Sequence, residues 1–233
     1  MSRMVFNTKG KDHTIKRDVL HDISASSSYK IGSTHIVCGA TTSVHKKVND
    51  GSNPILFETK LQSSGLSKQA SPNIQSVEVW MNEVFNDPDL FSNVNRLVVS
   101  TPDNQTCYYQ QVHLVLYIID DDGCVFDVAI LAAVSALLQL NLNDITIGVD
   151  GLCQIVKGSE YKLDFAYHPV PFSFFLQNGD GVQQAYLSFI LSEDKVNHVS
   201  IHGGKALVST DLLCGCITKC RTVYQTYLDR LLN

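Results

Sequence analysis

The feature that most constrains the fold is a run of apolar segments between residues 112 and 138. Residues 112–119 are almost entirely apolar and rich in β-branched side chains, which predicts a strand buried on both faces. Residues 120–123 predict a turn, and residues 124–126 are expected to return from it. Residues 127–138 are strong helix formers and apolar nearly all round, which predicts a helix packed on several sides.

The segments before this run predict a hairpin, a strand and a helix. Residues 23–31 and 34–41 read as two strands joined by Gly32 and Ser33, a connection typical of a tight hairpin turn. A further strand is expected at residues 55–59. Apolar residues at helical spacing then predict a helix that ends before Pro88; they are Ile74, Val77, Met81, Val84 and Phe85.

The rest of the chain continues the mixture of strands and helices. Strands are predicted at residues 97–100, 145–149, 161–167, 172–176, 185–191 and 196–201. An apolar stripe predicts a closing helix with Thr210 and Asp211 at its start. Because no linker is evident, we expect one α/β domain over residues 1–233, with mixed sheets packed on helices.

Composition excludes several functional classes. The 233 residues carry a formal charge of -5 and only five arginines, so the chain is not built as a free-standing nucleic-acid binder. No segment has the length of a membrane helix, and the first residues lack the apolar core of a signal peptide. We therefore expect a soluble, intracellular protein.

The seven cysteines are scattered, and free thiols are expected in a reducing compartment. Cys214, Cys216 and Cys220 do not have the paired spacing of zinc ribbons. We interpret them as helix-packing thiols, with a metal or redox site as the alternative.

Three segments in a fixed order resemble the RNase PH-like subunits of the RNA exosome. They are the hairpin of residues 26–39, the strand, Asp-Gly turn and helix of residues 114–140, and the strand, His-Pro-Val and strand passage of residues 161–175. The resemblance covers about residues 14–232. Residues 1–13 stay unmatched, because the family's usual N-terminal Arg-Pro-Asp-Gly-Arg segment is absent.

This resemblance implies a fold and a set of partners. The fold is α/β and RNase PH-like, with two βαβα-type halves. The implied assembly is a ring of six RNase PH-like chains, with RNA-binding cap subunits, an associated hydrolytic ribonuclease and single-stranded RNA as the shared ligand. The resemblance implies no cofactor, metal or membrane. The location that it implies is the nucleus and nucleolus, also the cytoplasm. We expect exposed apolar residues and strand edges, including residues 196–201, to contact ring neighbours.

The residues expected to bind phosphate in active members of this family are missing. Phosphorolysis needs several cationic or amide donors around inorganic phosphate and an acid that protonates the leaving oxygen. Residues 106–111 contain neither Arg nor Gly, and Asp180 is the only carboxylate at residues 177–184. We therefore predict no catalytic residues and a structural role; the alternative is a phosphate-dependent exoribonuclease, alone or in a composite site.

The remaining candidate residues each have a structural interpretation that we favour. Basic residues form two groups, which we interpret as solvent-exposed surface. The groups are Lys46 with Lys47, and Lys9, Lys11, Lys16 and Arg17. Lys46, Lys47, Lys9, Lys11 and Arg17 are the candidate RNA contacts of the alternative reading. Residues 120–122 are read as a hydrated hairpin turn rather than a cation site, and His168 as a structural histidine that ends a strand.

Overall fold

The computed structural model describes residues 3–6, 10–63, 74–177, 183–193, 195–203 and 208–233. Three α-helices are present in this part of the chain: α1 (Ile74–Phe85), α2 (Val125–Leu137) and α3 (Thr210–Leu232). The strands are β1 (Arg3–Phe6), β2 (His13–Arg17), β3 (Ala25–Ile31), β4 (Thr34–Val48), β5 (Phe57–Ser63), β6 (Val98–Ser100), β7 (Thr106–Asp120), β8 (Asn141–Leu142), β9 (Ile145–Ile147), β10 (Cys153–Ile155), β11 (Tyr161–Lys162), β12 (Val170–Gln177), β13 (Gln183–Leu191) and β14 (Val196–His202).

Two larger sheets and two short antiparallel pairs, β9-β10 and β8-β11, organise these strands. The first sheet has the order β2-β3-β4-β7-β5, and β6 also pairs with β7. It is mixed, because β5 runs parallel to β7 while the other pairs are antiparallel. The second sheet has the order β1-β12-β13-β14, and its pairs are antiparallel. The predicted α/β architecture with sheets packed on helices is confirmed, but of these two sheets only the first is mixed.

Helix α2 contacts both sheets. It packs against β3 and β4 of the first sheet and against β12 of the second. All of its residues are buried, as expected for a helix that is apolar all round. Helix α3 covers β12 and β13 with a separate apolar cluster that includes Cys216, Cys220 and Tyr224.

One carboxylate lies inside this packing. Asp127 in α2 is fully buried, and its Oδ1 accepts a hydrogen bond from the Ser173 hydroxyl at 2.5 Å. The Ser173 oxygen in turn accepts one from the Tyr186 hydroxyl at 2.7 Å. Burial raises the pKa of Asp127 to about 7, and the Ser173 hydrogen bond opposes that change.

The outer edge of β5 is capped by polar side chains of α1 and of Asn86, the residue that follows the helix. The donor N–H groups and their acceptors are Phe57 to Asn86 Oδ1 (3.1 Å), Thr59 to Asn82 Oδ1 (2.8 Å) and Leu61 to Glu78 Oε2 (3.0 Å). Four helical residues rise about 6 Å and two strand residues span nearly the same length, so successive pairs stay in register. The cap satisfies donors that an edge strand otherwise leaves open.

Several predicted strands have different limits. Strands β4 and β7 extend to 15 residues each and pair from His35 with Asp120 to Val48 with Thr106. The apolar pattern predicts shorter strands, because it ends at the last apolar residue of each strand. An antiparallel pair is held by backbone hydrogen bonds, so it can continue through polar residues whose side chains face solvent. Residues 163–167 lie outside the short β11; instead Phe165 forms an isolated bridge with Phe91.

The predicted return of residues 124–126 is wrong. Gly123 adopts a φ of 94°, Cys124 is the residue before the helix, and α2 begins at Val125. A short apolar run has the same composition in a buried strand and in a buried helix, so its pattern does not separate the two. Residues 120–123 thus form a strand-to-helix turn and not a hairpin turn.

Two details of α3 also differ from the prediction. Ser209, and not Thr210 or Asp211, caps the helix, because its hydroxyl accepts a hydrogen bond from the Leu212 N–H at 3.3 Å. Cys216 and Cys220 are buried in the α3 cluster as predicted, but Cys214 is exposed. None of the helices in the described ranges is both long and apolar enough to span a membrane.

We expect Asn82→Ala to lower the free energy of unfolding by about 1–2 kcal/mol, because the buried Thr59 N–H then has no acceptor. Urea denaturation measures the change. Glu83→Ala is the matched control, since Glu83 is the next residue of α1 and its side chain is exposed. Equal losses in the two variants would contradict the edge-capping role.

Asp127 predicts a pH dependence of stability. The pKa of this carboxyl is about 7 in the folded chain and ordinarily 3.8, so between these values the folded chain holds a proton that the unfolded chain has lost. The free energy of unfolding therefore falls as pH rises from about 4 to about 7, by up to the order of 4 kcal/mol. We expect Asp127→Asn to remove this dependence of the free energy of unfolding on pH, measured by urea denaturation at several pH values. An unchanged dependence in the variant would contradict the role given to Asp127.

Candidate nucleic-acid interface

The outer face of the first sheet brings together polar and aromatic side chains from three strands. On β4 and β7, Ser43 pairs with Gln111, and His45 pairs with Tyr109. His113 lies two residues further along β7, and Glu58 of β5 is its parallel partner. Since alternate residues of a strand point to the same face, these side chains share the face opposite α2. We call Ser43, His45, Glu58, Tyr109 and His113 the outer-face cluster.

The cluster is joined by hydrogen bonds. Ser43 Oγ lies 2.5 Å from His113 Nε2 and 2.7 Å from His45 Nε2. His113 Nδ1 lies 2.9 Å from Glu58 Oε2. The His45 ring stacks on Tyr109 with 5.5 Å between ring centroids. The arrangement offers an aromatic surface next to a chain of proton donors and acceptors.

Glu58 is kept ionised by its neighbours. Its pKa is lowered, chiefly by the hydrogen bond from Lys60 and also by the hydrogen bond with His113. Lys60 Nζ lies 3.1 Å from Glu58 Oε1. One carboxylate therefore accepts from a lysine and from an imidazole at the same time.

The two lysines near the end of β4 have different surroundings. Lys46 is exposed, with its Nζ 5.5 Å from the centre of the Tyr108 ring. Lys47 Nζ donates to the Ser52 carbonyl at 2.8 Å and lies 3.4 Å from Asp50 Oδ1. The Lys47 side chain is thus held by the loop that follows β4, while Lys46 faces solvent beside an aromatic ring.

The other predicted RNA contacts do not join Lys46. Lys11 lies against the Gly32 turn and pairs with Asp122 at 3.5 Å. Lys46 is 12 residues along β4 from the strand's start beside that turn, a span of about 40 Å. Arg17 donates to the Leu231 carbonyl at the end of α3, at 2.8 Å. Lys9 lies outside the described residues.

Residues 106–111, the stretch at which active members of the family are expected to bind phosphate, form side-chain hydrogen bonds to uncharged groups. The Tyr108 hydroxyl donates to the Gly151 carbonyl at 3.0 Å, and Gln111 Nε2 donates to the Ile55 carbonyl at 3.0 Å. Arg96, which is nearest in sequence, forms a two-pronged pair with Asp144 and lies 3.7 Å over the Tyr161 ring. Asp180 lies outside the described residues.

The remaining candidates have structural roles. Asp121 Oδ1 accepts from the Gly123 N–H at 2.8 Å, and the Asp122 N–H donates to Thr34 Oγ1 at 2.8 Å. These contacts fix the turn before α2. His168 stacks on Phe165 beyond the short β11, and burial lowers its pKa. Within the described ranges, no three His, Cys, Asp or Glu side chains are grouped to hold a metal ion.

Sequence reasoning missed the outer-face cluster. Its available signal is the alternation of Ser43 with His45 and of Tyr109 with His113, which places each pair on one face of a strand. The alternation does not say that β4 pairs with β7 or that β5 joins β7 in parallel. That pairing brings Glu58 to His113 across 55 residues.

Comparison with known proteins gives one family and several similar structures. The model of the 3' exoribonuclease family, domain 1 (RNase PH), matches residues 9–143, more than half of the chain. No curated protein matches the chain in sequence.

Three solved structures have the same fold. The exosome of Archaeoglobus fulgidus with RNA bound to its active site is 16% identical with a TM-score of 0.68, covering 96% of this chain and 89% of that chain. Rice (Oryza sativa) Rrp46 is 12% identical with a TM-score of 0.64, covering 97% and 95%. An archaeal exosome core is 17% identical with a TM-score of 0.65, covering 95% and 87%.

We expect Arg17→Ala to lower the free energy of unfolding by about 1.5–3 kcal/mol, because it removes a charged donor from a carbonyl at the end of α3. Lys16→Ala is the control on the same strand, since the Lys16 side chain is exposed. Urea denaturation compares them. If the two losses were the same, Arg17 would return to the list of candidate RNA contacts.

Proposed function

Because the chain belongs to the 3' exoribonuclease (RNase PH) family, we propose that it is a non-catalytic structural subunit of an RNA exosome core ring. In this role it holds ring neighbours and shapes the RNA channel. It thereby supports 3'-to-5' RNA processing and degradation, including rRNA processing and mRNA decay, by associated enzymes. The similarity in fold to archaeal exosomes and to rice Rrp46 supports the proposal.

The observation that carries the non-catalytic role is the chemistry of residues 106–111. Phosphate and the scissile phosphodiester are anions and need converging cationic donors. Here a tyrosine and a glutamine bind backbone carbonyls, and Arg96 is engaged by Asp144 and Tyr161. A stretch with these partners has no charged donor of its own to offer to phosphate.

The edge strand β14 supports a role in assembly. In the described part of the chain, β14 pairs with β13 alone. Val199 and Ile201 are each 46% exposed on this strand. An open edge with exposed β-branched side chains is suited to contact another chain. We therefore place a ring neighbour at β14.

The proposed assembly contains other RNase PH-like subunits in a six-membered ring, RNA-binding cap subunits and a hydrolytic ribonuclease. Single-stranded RNA is the shared ligand, and of the proposed contacts Lys46 is the one best placed to meet it. Within the family the chain looks most like exosome component 8 (ribosomal RNA-processing protein 43), so we propose that ring position. The proposed location is the nucleus and nucleolus, also the cytoplasm.

A phosphate-dependent 3'-to-5' exoribonuclease is the second candidate. Membership of a family described as 3' exoribonucleases favours it. In this case a neighbouring chain has to supply the guanidinium groups, or the site has to use Asp180 with residues of this chain alone.

We expect the purified chain to release no nucleoside diphosphates from labelled single-stranded RNA in the presence of inorganic phosphate. Thin-layer chromatography of the products measures this. Asp180→Asn is the control variant. If the natural chain released nucleoside diphosphates and Asp180→Asn abolished their release, the enzymatic alternative would be correct.

We expect the double substitution Val199→Lys and Ile201→Lys to reduce association with RNase PH-like ring subunits at least tenfold, because it places charges at a buried contact. Size-exclusion chromatography of the co-expressed proteins measures association. Val149→Lys, at another exposed valine, is the control. Undiminished association of the double variant would rule out β14 as the ring contact.

A further inference from the structure

The hydrogen-bond chain of the outer-face cluster has a defined direction. An ionised carboxylate only accepts hydrogen bonds, so the Glu58 Oε2 that lies 2.9 Å from His113 Nδ1 requires a proton on Nδ1. In a neutral imidazole the other nitrogen is then an acceptor. His113 Nε2 therefore accepts, and it is aimed at Ser43 Oγ at 2.5 Å.

The direction continues through Ser43. Its hydroxyl donates its single proton to His113 Nε2, so its oxygen accepts from any further donor. His45 Nε2 lies 2.7 Å from that oxygen and supplies the donor. The order is thus His45 N–H to Ser43, Ser43 O–H to His113, and His113 N–H to Glu58.

This order is that of an activated nucleophile. A hydroxyl within hydrogen-bond reach of a base, with the base oriented by a third group, is the arrangement that serine nucleophiles need. Ser43 and His113 are half-buried, but the hydrogen bond between Ser43 Oγ and His45 Nε2 is exposed, so the hydroxyl is open to small molecules. We propose that Ser43 is a nucleophile toward carboxylic esters, with His113 as general base and Glu58 as a positioning residue.

The proposed step balances as an acyl transfer. Ser43 Oγ forms a bond to the ester carbonyl carbon, and its proton passes to His113 Nε2. The bond from that carbon to the leaving oxygen breaks, and the leaving alcohol takes the proton from His113. In the second half of the reaction His113 Nε2 takes a proton from water, which attacks the acyl-serine. The proton then returns to Ser43 Oγ as the carboxylic acid leaves, which restores the hydroxyl. His45 Nε2–H donates to one lone pair of Ser43 Oγ and leaves the other lone pair for the attack on the carbonyl carbon.

The chain contains a matched internal control. Ser28 Oγ lies 2.7 Å from His35 Nε2, which repeats the serine–histidine contact. In the described part of the chain, the His35 ring has no hydrogen bond to a carboxylate; Asp120 acts on it only through space. The two pairs therefore differ in the group that fixes the imidazole.

The experiment reacts the full chain with an alkyl fluorophosphonate and locates the adduct by peptide mass spectrometry. We expect phosphonylation of Ser43 at least tenfold faster than of Ser28. Hydrolysis of p-nitrophenyl acetate is measured alongside, and we expect Ser43→Ala to remove it and Ser28→Ala to leave it unchanged. Glu58→Gln is expected to slow both reactions about tenfold, and Glu58→Asp to restore part of the rate.

A spectroscopic readout separates positioning from a merely structural role. Imidazole nitrogen NMR of the natural chain is expected to show His113 as the Nδ1–H tautomer, and Glu58→Gln to give a mixture of tautomers. Equal labelling of Ser43 and Ser28, ester hydrolysis that survives Ser43→Ala, or an Nε2–H tautomer in the natural chain would each overturn the proposal. None of these outcomes bears on the ring role.

Discussion

The packing of α2 is the constraint on which the rest of the structure depends. A helix that is apolar on every side has to be covered on every side, and two sheets do this where one cannot. The first sheet lies against it through β3 and β4, and the second through β12. Asp127 is the buried carboxyl group inside this arrangement, and Ser173 and Tyr186 form the hydrogen-bonded group around it. Helix α2 is thereby joined to the second sheet by polar contacts as well as by apolar ones.

The edge strands of the two sheets differ in whether their outward backbone groups are covered. At β5 the side chains of α1 and of the adjoining Asn86 accept hydrogen bonds from the outward N–H groups, which closes that edge to other strands. At β14 no described strand lies beyond, and Val199 and Ile201 are partly exposed. A closed edge and an open edge in one chain fit a subunit that meets a neighbour at a particular place.

The sequence predicted which helices and strands form better than it predicted where they end or which of them are in contact. The Gly32 turn, α1 and the apolar stripe of α3 follow local rules, and these predictions were confirmed. The extensions of β4 and β7 were not foreseen, because backbone pairing of polar residues leaves no hydrophobic pattern. The contacts of Arg17 with Leu231 and of Glu58 with His113 join residues distant in the chain, so only the fold reveals them. The single-domain prediction stays a prediction.

The central claim is that this chain acts by holding other RNase PH-like chains, and the mass of the intact assembly isolated with it tests this most directly. Native mass spectrometry of the complex, purified through a tag on this chain, gives its members and their copy numbers together. We expect a hetero-oligomer with one copy of this chain and five other RNase PH-like subunits. A monomer, or an oligomer of this chain alone, would contradict it.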